Sequence, residues 1–198
     1  MIAILDYGSG NIRSAERAFA TTGLPVVVTR DPKICEDALG LVVPGVGAFA
    51  SCMAGFLAVD GPSILKSRIK NSRPILGICV GMQILFNIGT ENGATKGLEI
   101  WPGEVSAINN EILPHMGWNS VQAPANSNLF RGVETADFYF VHSYAAKTAV
   151  PGALNSFTEY GETFLSAVET SHVSATQFQP EKSGAAGLKL IANWVATL

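Results

Sequence analysis

A cysteine between two glycines, in the segment Gly77-Ile78-Cys79-Val80-Gly81, is the arrangement in this chain best suited to nucleophilic chemistry. An apolar run, Pro74-Ile75-Leu76, precedes it and a helix-like run over 80–86 follows, so the pattern predicts a strand, a sharp turn and a helix. A Cβ on either flanking glycine would clash in such a turn. The turn would lift the Cys79 sulfur clear of the backbone, at a helix N-terminus that favours thiolate. We therefore predict a nucleophile elbow with Cys in place of Ser, the alternative being a buried packing cysteine.

A glycine-rich turn, Pro44-Gly45-Val46-Gly47, follows another apolar run and could serve the same chemistry. Glycines allow backbone N–H groups to face a ligand at close range. Val46 and Gly47, together with the N–H of Val80 just after the cysteine, are the predicted oxyanion hole. The alternative is an ordinary turn from a strand into a helix.

Composition indicates one compact domain over 1–198. Apolar residues make up 47% of the chain and charged residues 15%, against about 25% charged in an average domain. Such a chain is expected to bury part of its surface against a partner. The net charge is −3 and there is no basic stripe, which argues against a nucleic-acid partner.

Cysteine usage and the N-terminal sequence indicate a cytoplasmic protein. Cys35, Cys52 and Cys79 form no C-x-x-C pair, and their odd number argues against a disulfide framework. The first residues lack the basic start and the long apolar run of a signal peptide. The stretch 39–59 carries no charge, but its prolines and glycines favour a strand, a turn and a helix over a membrane span.

The pattern of apolar runs predicts an α/β fold. In the first half, strands are predicted at 2–5, 26–28, 41–43 and 75–78, with helical segments between them. Continuously apolar strands are buried on both faces, which indicates a mostly parallel central sheet with helices on both faces. In the second half, antiparallel strands extending the sheet are predicted at 105–108, 111–113, 118–122, 138–141, 153–158, 164–168 and 173–178. A closing helix carries Leu188, Ile191 and Val195 on one face.

Two other kinds of site are not supported by the sequence. Gly8-Ser9-Gly10 follows the first strand, but Arg13 stands where a dinucleotide-binding motif needs its third glycine. The three histidines are scattered, with no H-x-x-x-H spacing for a metal. We therefore expect no metal and no cofactor.

Three motifs together resemble a known family. The elbow, the Pro-Gly-Val-Gly turn and the segment 177–183 (Gln-Phe-Gln-Pro-Glu-Lys-Ser) occur in the same order as in the triad-type, class I glutamine amidotransferases. The segments 6–11, 114–119 and 139–144 resemble in particular the glutaminase subunits of imidazole glycerol phosphate synthase. The resemblance runs from residue 1 to the last helix and implies a flavodoxin-like version of the predicted fold.

The resemblance also implies roles for individual residues. Cys79 would attack the side-chain amide of glutamine, ammonia would leave, and water would hydrolyse the glutamyl thioester. The residues that would hold the substrate glutamine are Gln83, Glu91, Ser143 and Tyr144. Those that would dock a β/α-barrel cyclase subunit, the expected partner, are His115, Met116, Trp118, Asn119 and Lys182. The alternatives are a solvated loop acid at Glu91, a surface charge at Lys182, a hydrogen-bonded strand residue at His142 and a core aromatic at Trp118.

The chain departs from the family pattern at one catalytic position. Gln179 stands where the family has the histidine that moves protons to and from the thiol, and Glu181 would orient that histidine. If both lie on one strand, they share a face. An amide does not titrate near neutral pH, so general acid–base catalysis, typically worth on the order of 10²–10⁴-fold, would be lost. The Cys79 thiol would also lose its cationic partner, so its pKa should lie closer to that of a free thiol.

Three functional hypotheses are consistent with these features. The first is a glutaminase subunit, impaired at Gln179, that delivers ammonia to the cyclase of histidine biosynthesis. The second is a glutaminase subunit for another acceptor, such as anthranilate or pyridoxal phosphate synthesis. The third is a catalytically silent subunit that scaffolds or gates a partner, which Gln179 favours.

Overall fold

The computed structural model describes all 198 residues and contains thirteen strands and six α-helices. The strands are β1 (Ile2–Leu5), β2 (Val26–Thr29), β3 (Gly40–Gly45), β4 (Ile75–Cys79), β5 (Phe86–Gly89), β6 (Thr95–Lys96), β7 (Trp101–Ala107), β8 (His115–Ser120), β9 (Asp137–His142), β10 (Tyr144–Ala146), β11 (Leu154–Tyr160), β12 (Glu162–Glu169) and β13 (Val173–Thr176). The helices are α1 (Ile12–Ala20), α2 (Pro32–Asp37), α3 (Phe49–Ala58), α4 (Gly61–Lys70), α5 (Val80–Gln83) and α6 (Gly184–Val195), and a 3₁₀ turn spans Pro180–Lys182.

A seven-stranded sheet, in the order β11-β12-β13-β4-β3-β1-β2, forms the centre of the molecule. The five strands from β13 to β2 are parallel to their neighbours, whereas β12 and β11 join antiparallel. The prediction of a mixed, mostly parallel α/β sheet is therefore confirmed. Its register pairs Gly45 with Cys79, which brings the glycine-rich turn beside the elbow.

The strands at the sheet centre are apolar because both faces are covered. Every residue of β1, β3 and β4 is buried. The helices pack in two groups, α1 with α6 and α4 with α2 and α3. Phe19 of α1 meets Trp194 of α6 edge to face, with ring centroids 5.8 Å apart. The buried apolar residues form a single cluster of 49, which supports the prediction of one domain.

Several predicted elements of the second half differ from the structure. Of the strands predicted to extend the central sheet, only β11 and β12 form an antiparallel extension. The strand predicted at 173–178 is β13, which lies inside that sheet and pairs with β4 in parallel. The remaining strands of this half form two small sheets, β10-β7-β5-β6 and β8-β9. The predicted strand at 111–113 is wrong, since the Asn110 side chain accepts a bond from the Ile112 N–H (2.9 Å) in a local turn. The helix predicted over 80–86 ends at Gln83, and Phe86 begins β5, which pairs with β7. The strand predicted to reach Phe178 ends at Thr176.

The uncharged stretch 39–59 has the predicted organisation, with β3 followed by a turn and α3. No helix of the protein has both the length and the apolar character needed to cross a membrane.

Candidate active site

The turn at Cys79 has the strained and crowded geometry predicted for a nucleophile elbow. Cys79 adopts φ 55° and ψ −113° between β4 and α5, a conformation that non-glycine residues rarely take. A Cβ added at Gly81 would lie 1.9 Å from the carbonyl oxygen of Val43, and one at Gly77 would lie 2.7 Å from that of Gly81. The prediction that both flanking positions must be glycine is confirmed.

The thiol lines a cavity of about 710 Å³, yet it is only 3% exposed. Of the predicted site residues, the structure brings these to the same cavity: Val46, Gly47, Cys79, Val80, Gln83, Glu91, Ser143, Tyr144, Gln179 and Lys182. Cys79 is therefore less accessible than the sequence suggested, because the elbow does not lift the residue into solvent.

The surroundings of Cys79 disfavour its thiolate. Burial, and then the charge of the Glu181 carboxylate, raise the pKa of the thiol to about 12. Hydrogen bonds from the Val80 N–H and the Gln179 side chain oppose this rise without overcoming it. The pKa was expected to move closer to that of a free thiol, and it rises beyond that value because desolvation outweighs the contribution of a helix that is only four residues long.

A second glutamine contacts the thiol, and sequence analysis assigned it no role. Gln177 is 1% exposed, and its Nε2 lies 3.7 Å from the Cys79 sulfur. Its Oε1 accepts a hydrogen bond of 3.0 Å from Gln83 Nε2. The only signal in the sequence was its place two residues before Gln179, in the segment that carries the family resemblance.

Gln179 and Glu181 are placed by a loop and the 3₁₀ turn, so the prediction that they share a strand face is wrong. Gln179 precedes the turn and Glu181 lies within it, after β13 has ended. Gln179 Oε1 and Glu181 Oε2 are both buried and have no hydrogen-bond donor. Burial raises the pKa of the Glu181 carboxyl to about 7, against the opposing effects of its own backbone N–H and of Lys182. Both residues still affect the pKa of the Cys79 thiol, since the Glu181 charge raises it and the Gln179 side chain lowers it.

The backbone donors predicted for an oxyanion hole differ in whether they already donate a hydrogen bond within the protein. The Val80 N–H lowers the pKa of the Cys79 thiol and lies on a residue that lines the cavity. The Val46 N–H, in contrast, donates to Ser9 Oγ (3.0 Å), and that hydroxyl donates to the Val46 carbonyl (2.8 Å). Gly47 has φ +89°, which suits glycine, and lines the cavity.

The residues predicted to hold glutamine already make hydrogen bonds within the protein. Gln83 is buried, and its Nε2 also donates to the carbonyl of Tyr144 (2.8 Å). Glu91 Oε2 accepts from the N–H of Phe49, the first residue of α3 (2.9 Å). Ser143 and Tyr144 lie side by side on the cavity wall.

Strand β8 presents two large apolar side chains to solvent. Met116 is 65% exposed and Trp118 is 57% exposed, and both lie on the same face of the strand. His115 is only 3% exposed, so it cannot itself contact a partner. Asn119 is half-buried, whereas Lys182 is exposed, with its Nζ 6.0 Å from the centre of the Tyr139 ring.

Comparison with known proteins gives consistent results along the whole chain. Residues 3–198 match the family "Glutamine amidotransferase class-I". Proteins named imidazole glycerol phosphate synthase subunit HisH are similar: that of Nocardia farcinica is 53% identical, covering 100% of this chain and 98% of the relative. That of Thermobifida fusca is 50% identical, covering 100% of this chain and 98% of the relative. That of Mycobacterium bovis is 52% identical, covering 98% of this chain and 96% of the relative.

Solved structures share the fold at low identity. One described as a glutamine amidotransferase has a TM-score of 0.78 at 16% identity, covering 99% of this chain and 97% of the other. PurLQS from Thermotoga maritima has a TM-score of 0.75 at 17% identity, covering 98% of this chain and 97% of the other.

Proposed function

The chain belongs to the class-I glutamine amidotransferase family, among relatives named HisH, and we propose that its Cys79 centre hydrolyses glutamine for imidazole glycerol phosphate synthase in histidine biosynthesis. The observation that carries this proposal is the strained elbow, which holds Cys79 on the same cavity as the predicted substrate-binding residues. The three cysteines of the chain form no disulfide, which supports a cytoplasmic location for the protein.

The reaction proceeds through a covalent intermediate. The Cys79 sulfur loses its proton and attacks the amide carbon of glutamine, and the carbonyl oxygen becomes an oxyanion. In this proposal the Val80 N–H and the backbone at Gly47, both of which line the cavity, stabilise that oxyanion. Ammonia leaves with the addition of a proton, and water hydrolyses the glutamyl thioester to glutamate and the free thiol.

Gln179 makes both proton transfers slow. Its amide cannot accept the thiol proton or return it to the leaving nitrogen, a loss on the order of 10²–10⁴-fold. In addition, the rise of the Cys79 pKa from 9.0 to about 12 lowers the thiolate fraction at neutral pH by about 10³-fold. We therefore propose that this chain turns over glutamine slowly.

The proposed partner is a cyclase subunit with a β/α-barrel fold, which receives the ammonia. Support comes from the exposed pair Met116 and Trp118 on β8, with Lys182 on the neighbouring 3₁₀ turn. A large aromatic side chain that is exposed in the free subunit is typical of an interface anchor. Docking over the cavity mouth, where Lys182 lies, would keep ammonia away from bulk water.

A catalytically silent subunit that scaffolds or gates the same complex is the second candidate. The raised pKa of the Cys79 thiol and the amide at position 179 favour it. A glutaminase for another acceptor is disfavoured, because the similar relatives are HisH subunits over their full length.

The test is glutamine hydrolysis measured as glutamate release, with and without the cyclase subunit. We expect slow glutamate release from the chain as it stands and release faster by on the order of 10²–10⁴-fold from Gln179→His. Adding Cys79→Ser should abolish release in either background. Gln179→Asn, which restores no titrating group, is the matched control. A Gln179→His variant that docks the cyclase yet stays as slow as Gln179→Asn would contradict the glutaminase proposal. That result would favour the second candidate, a catalytically silent scaffold subunit.

A further inference from the structure

The carbonyl oxygen of Tyr144 joins two sets of buried polar side chains. It accepts one hydrogen bond from Gln83 Nε2 (2.8 Å) and another from His142 Nδ1 (2.9 Å). A carbonyl oxygen has two lone pairs, so these two side chains use its full capacity. One donor leads toward the Cys79 thiol, and the other leads toward strand β8.

The branch toward the thiol consists of two amides with fixed orientations. Gln83 Nε2 has two hydrogens, and the second goes to Gln177 Oε1 (3.0 Å). Because Gln177 Oε1 is thereby the acceptor, its amide nitrogen is the group that faces the Cys79 sulfur at 3.7 Å. Gln83 and Gln177 are 4% and 1% exposed, so water does not compete for these bonds.

The branch toward β8 admits only one arrangement of protons. His142 Nδ1 must carry a hydrogen, because the Tyr144 carbonyl can only accept. In the neutral ring His142 Nε2 is then an acceptor, so His115 Nδ1, 3.1 Å away, is the donor. His115 Nε2 accepts in turn from Asn119 Nδ2 (3.3 Å), whose other hydrogen goes to the Glu159 carbonyl (3.0 Å).

Both histidines must be neutral in this arrangement. A proton on His142 Nε2 would point at the hydrogen on His115 Nδ1 and break the path. The surroundings agree with this, since burial is the first cause that lowers the pKa of His115 to about 4 and that of His142 to about 3. His115 is also stacked on Tyr160, with ring centroids 3.9 Å apart, which holds its plane in place.

We propose that Gln177 is a positioning residue for the Cys79 thiol. In this proposal the His115–His142 pair anchors Gln177 through the Tyr144 carbonyl and the Gln83 amide that it binds. One hydrogen-bonded path then links Asn119, on the strand that carries Met116 and Trp118, to the nucleophile. The inference rests on the proposed role of Cys79 as nucleophile. Among the partners of the thiol, Gln177 is the one whose own orientation is fixed by a further buried hydrogen bond, so its N–H selects among the orientations of the sulfur.

The test is the alkylation rate of Cys79 by iodoacetamide between pH 8 and 10, followed by mass spectrometry of the Cys79 peptide so that Cys35 and Cys52 do not contribute. Gln177→Leu removes the donor, and we expect alkylation to slow about tenfold at each pH. Gln177→Glu preserves the volume and the bond from Gln83, places a negative charge beside the sulfur, and should slow it further. The matched control is Asn155→Ala, which removes a partly buried amide that bonds only to Val150 and Ala153.

The histidine branch is tested by a pair of substitutions at one position. His142→Leu loses the bond to Tyr144 and should slow alkylation, whereas His142→Asn can retain an N–H near the Nδ1 position and should keep the rate within about twofold. If both Gln177 variants alkylate at the rate of Asn155→Ala, the positioning role is wrong. If His142→Leu and His142→Asn have equal rates, the anchoring role is wrong. Alkylation requires no glutamine turnover, so either result is independent of whether the chain is a working glutaminase.

Discussion

Gln179 Oε1 and Glu181 Oε2 are buried acceptors at the same site, and neither receives a hydrogen bond. Buried polar groups are nearly always paired, so two unpaired acceptors two residues apart indicate that a donor is missing. An imidazole at position 179 could give an N–H to Glu181, whereas the oxygen of an amide cannot. The substitution therefore affects both partners of Cys79, since it removes a base and leaves a carboxylate without its donor.

Glu181→Gln is expected to speed alkylation of Cys79. The ionised Glu181 carboxylate raises the pKa of the thiol, so its removal should lower that pKa and raise the rate by about tenfold. Because the Glu181 carboxyl has a pKa of about 7, the carboxylate is charged only above that pH. The rates of the two proteins should therefore diverge above pH 7 and converge below it. A difference that is constant from pH 6 to 9 would contradict this assignment.

The buried histidine pair should make the fold sensitive to acid. The pKa values of His115 and His142 in the folded protein, about 4 and about 3, lie below the unfolded value of 6.5. The unfolded chain therefore binds more protons between pH 6.5 and pH 4, and stability is lost as the pH falls through that window. In a Glu181→Gln background, which removes an opposing carboxyl, we expect the free energy of unfolding in urea to be lower at pH 5 than at pH 7 by at least about 2 kcal/mol.

Glu181 has the opposite effect on the pH dependence of stability, so its contribution has to be removed from that measurement. Its folded pKa of about 7 lies above the unfolded value of 4.5, so its contribution becomes more favourable as the pH falls through that range. Urea titrations in the Glu181→Gln background remove this opposing contribution. Adding His142→Asn to that background should reduce the loss between pH 7 and pH 5, and an unchanged loss would show that other groups are responsible.

Gly81→Ala should destabilise the protein strongly, because the added Cβ would lie 1.9 Å from the Val43 carbonyl oxygen. Relieving that overlap requires α5 to move away from β3, and we expect a cost of about 3 kcal/mol or more. Gly152→Ala is the matched control, since Gly152 has a φ of +74° but nothing within 4 Å of an added Cβ. It should cost only about 1 kcal/mol, for the backbone conformation alone. Equal costs in urea unfolding would show that crowding at the elbow is relieved cheaply.

Trp118→Ala should weaken cyclase binding without weakening the fold. Trp118 is 57% exposed, so its removal leaves little cavity, but a central aromatic anchor is typically worth about 2 kcal/mol or more, about 30-fold in Kd. Leu57→Ala is the control, because Leu57 is 58% exposed and lies on α3, away from β8. Titration calorimetry with the cyclase subunit distinguishes the two. Similar dissociation constants for both variants would place the docking surface elsewhere.

Local pattern was enough to predict the elbow and the mostly parallel sheet, whereas the departure at Gln179 was predicted from the resemblance to a family. Each depends on neighbouring residues: continuous apolar runs define strands buried on both faces, and glycines at 77 and 81 define a turn that admits no Cβ. The prediction was weaker where two local preferences compete. Residues 84–86 have helical spacing, yet Phe86 begins β5 because β7 offers it a partner strand.

Tertiary structure alone decided the chemistry of the site. The contact between Gln177 and Cys79 joins residues 98 positions apart, and the bond from Gln83 to Gln177 spans 94, so neither follows from spacing. The pKa of the Cys79 thiol depends on how completely the fold excludes water, and burial outweighed the local helix terminus. His115 lies next to an exposed methionine in sequence, but it is buried because successive side chains of a strand point to opposite faces and one face of β8 is covered.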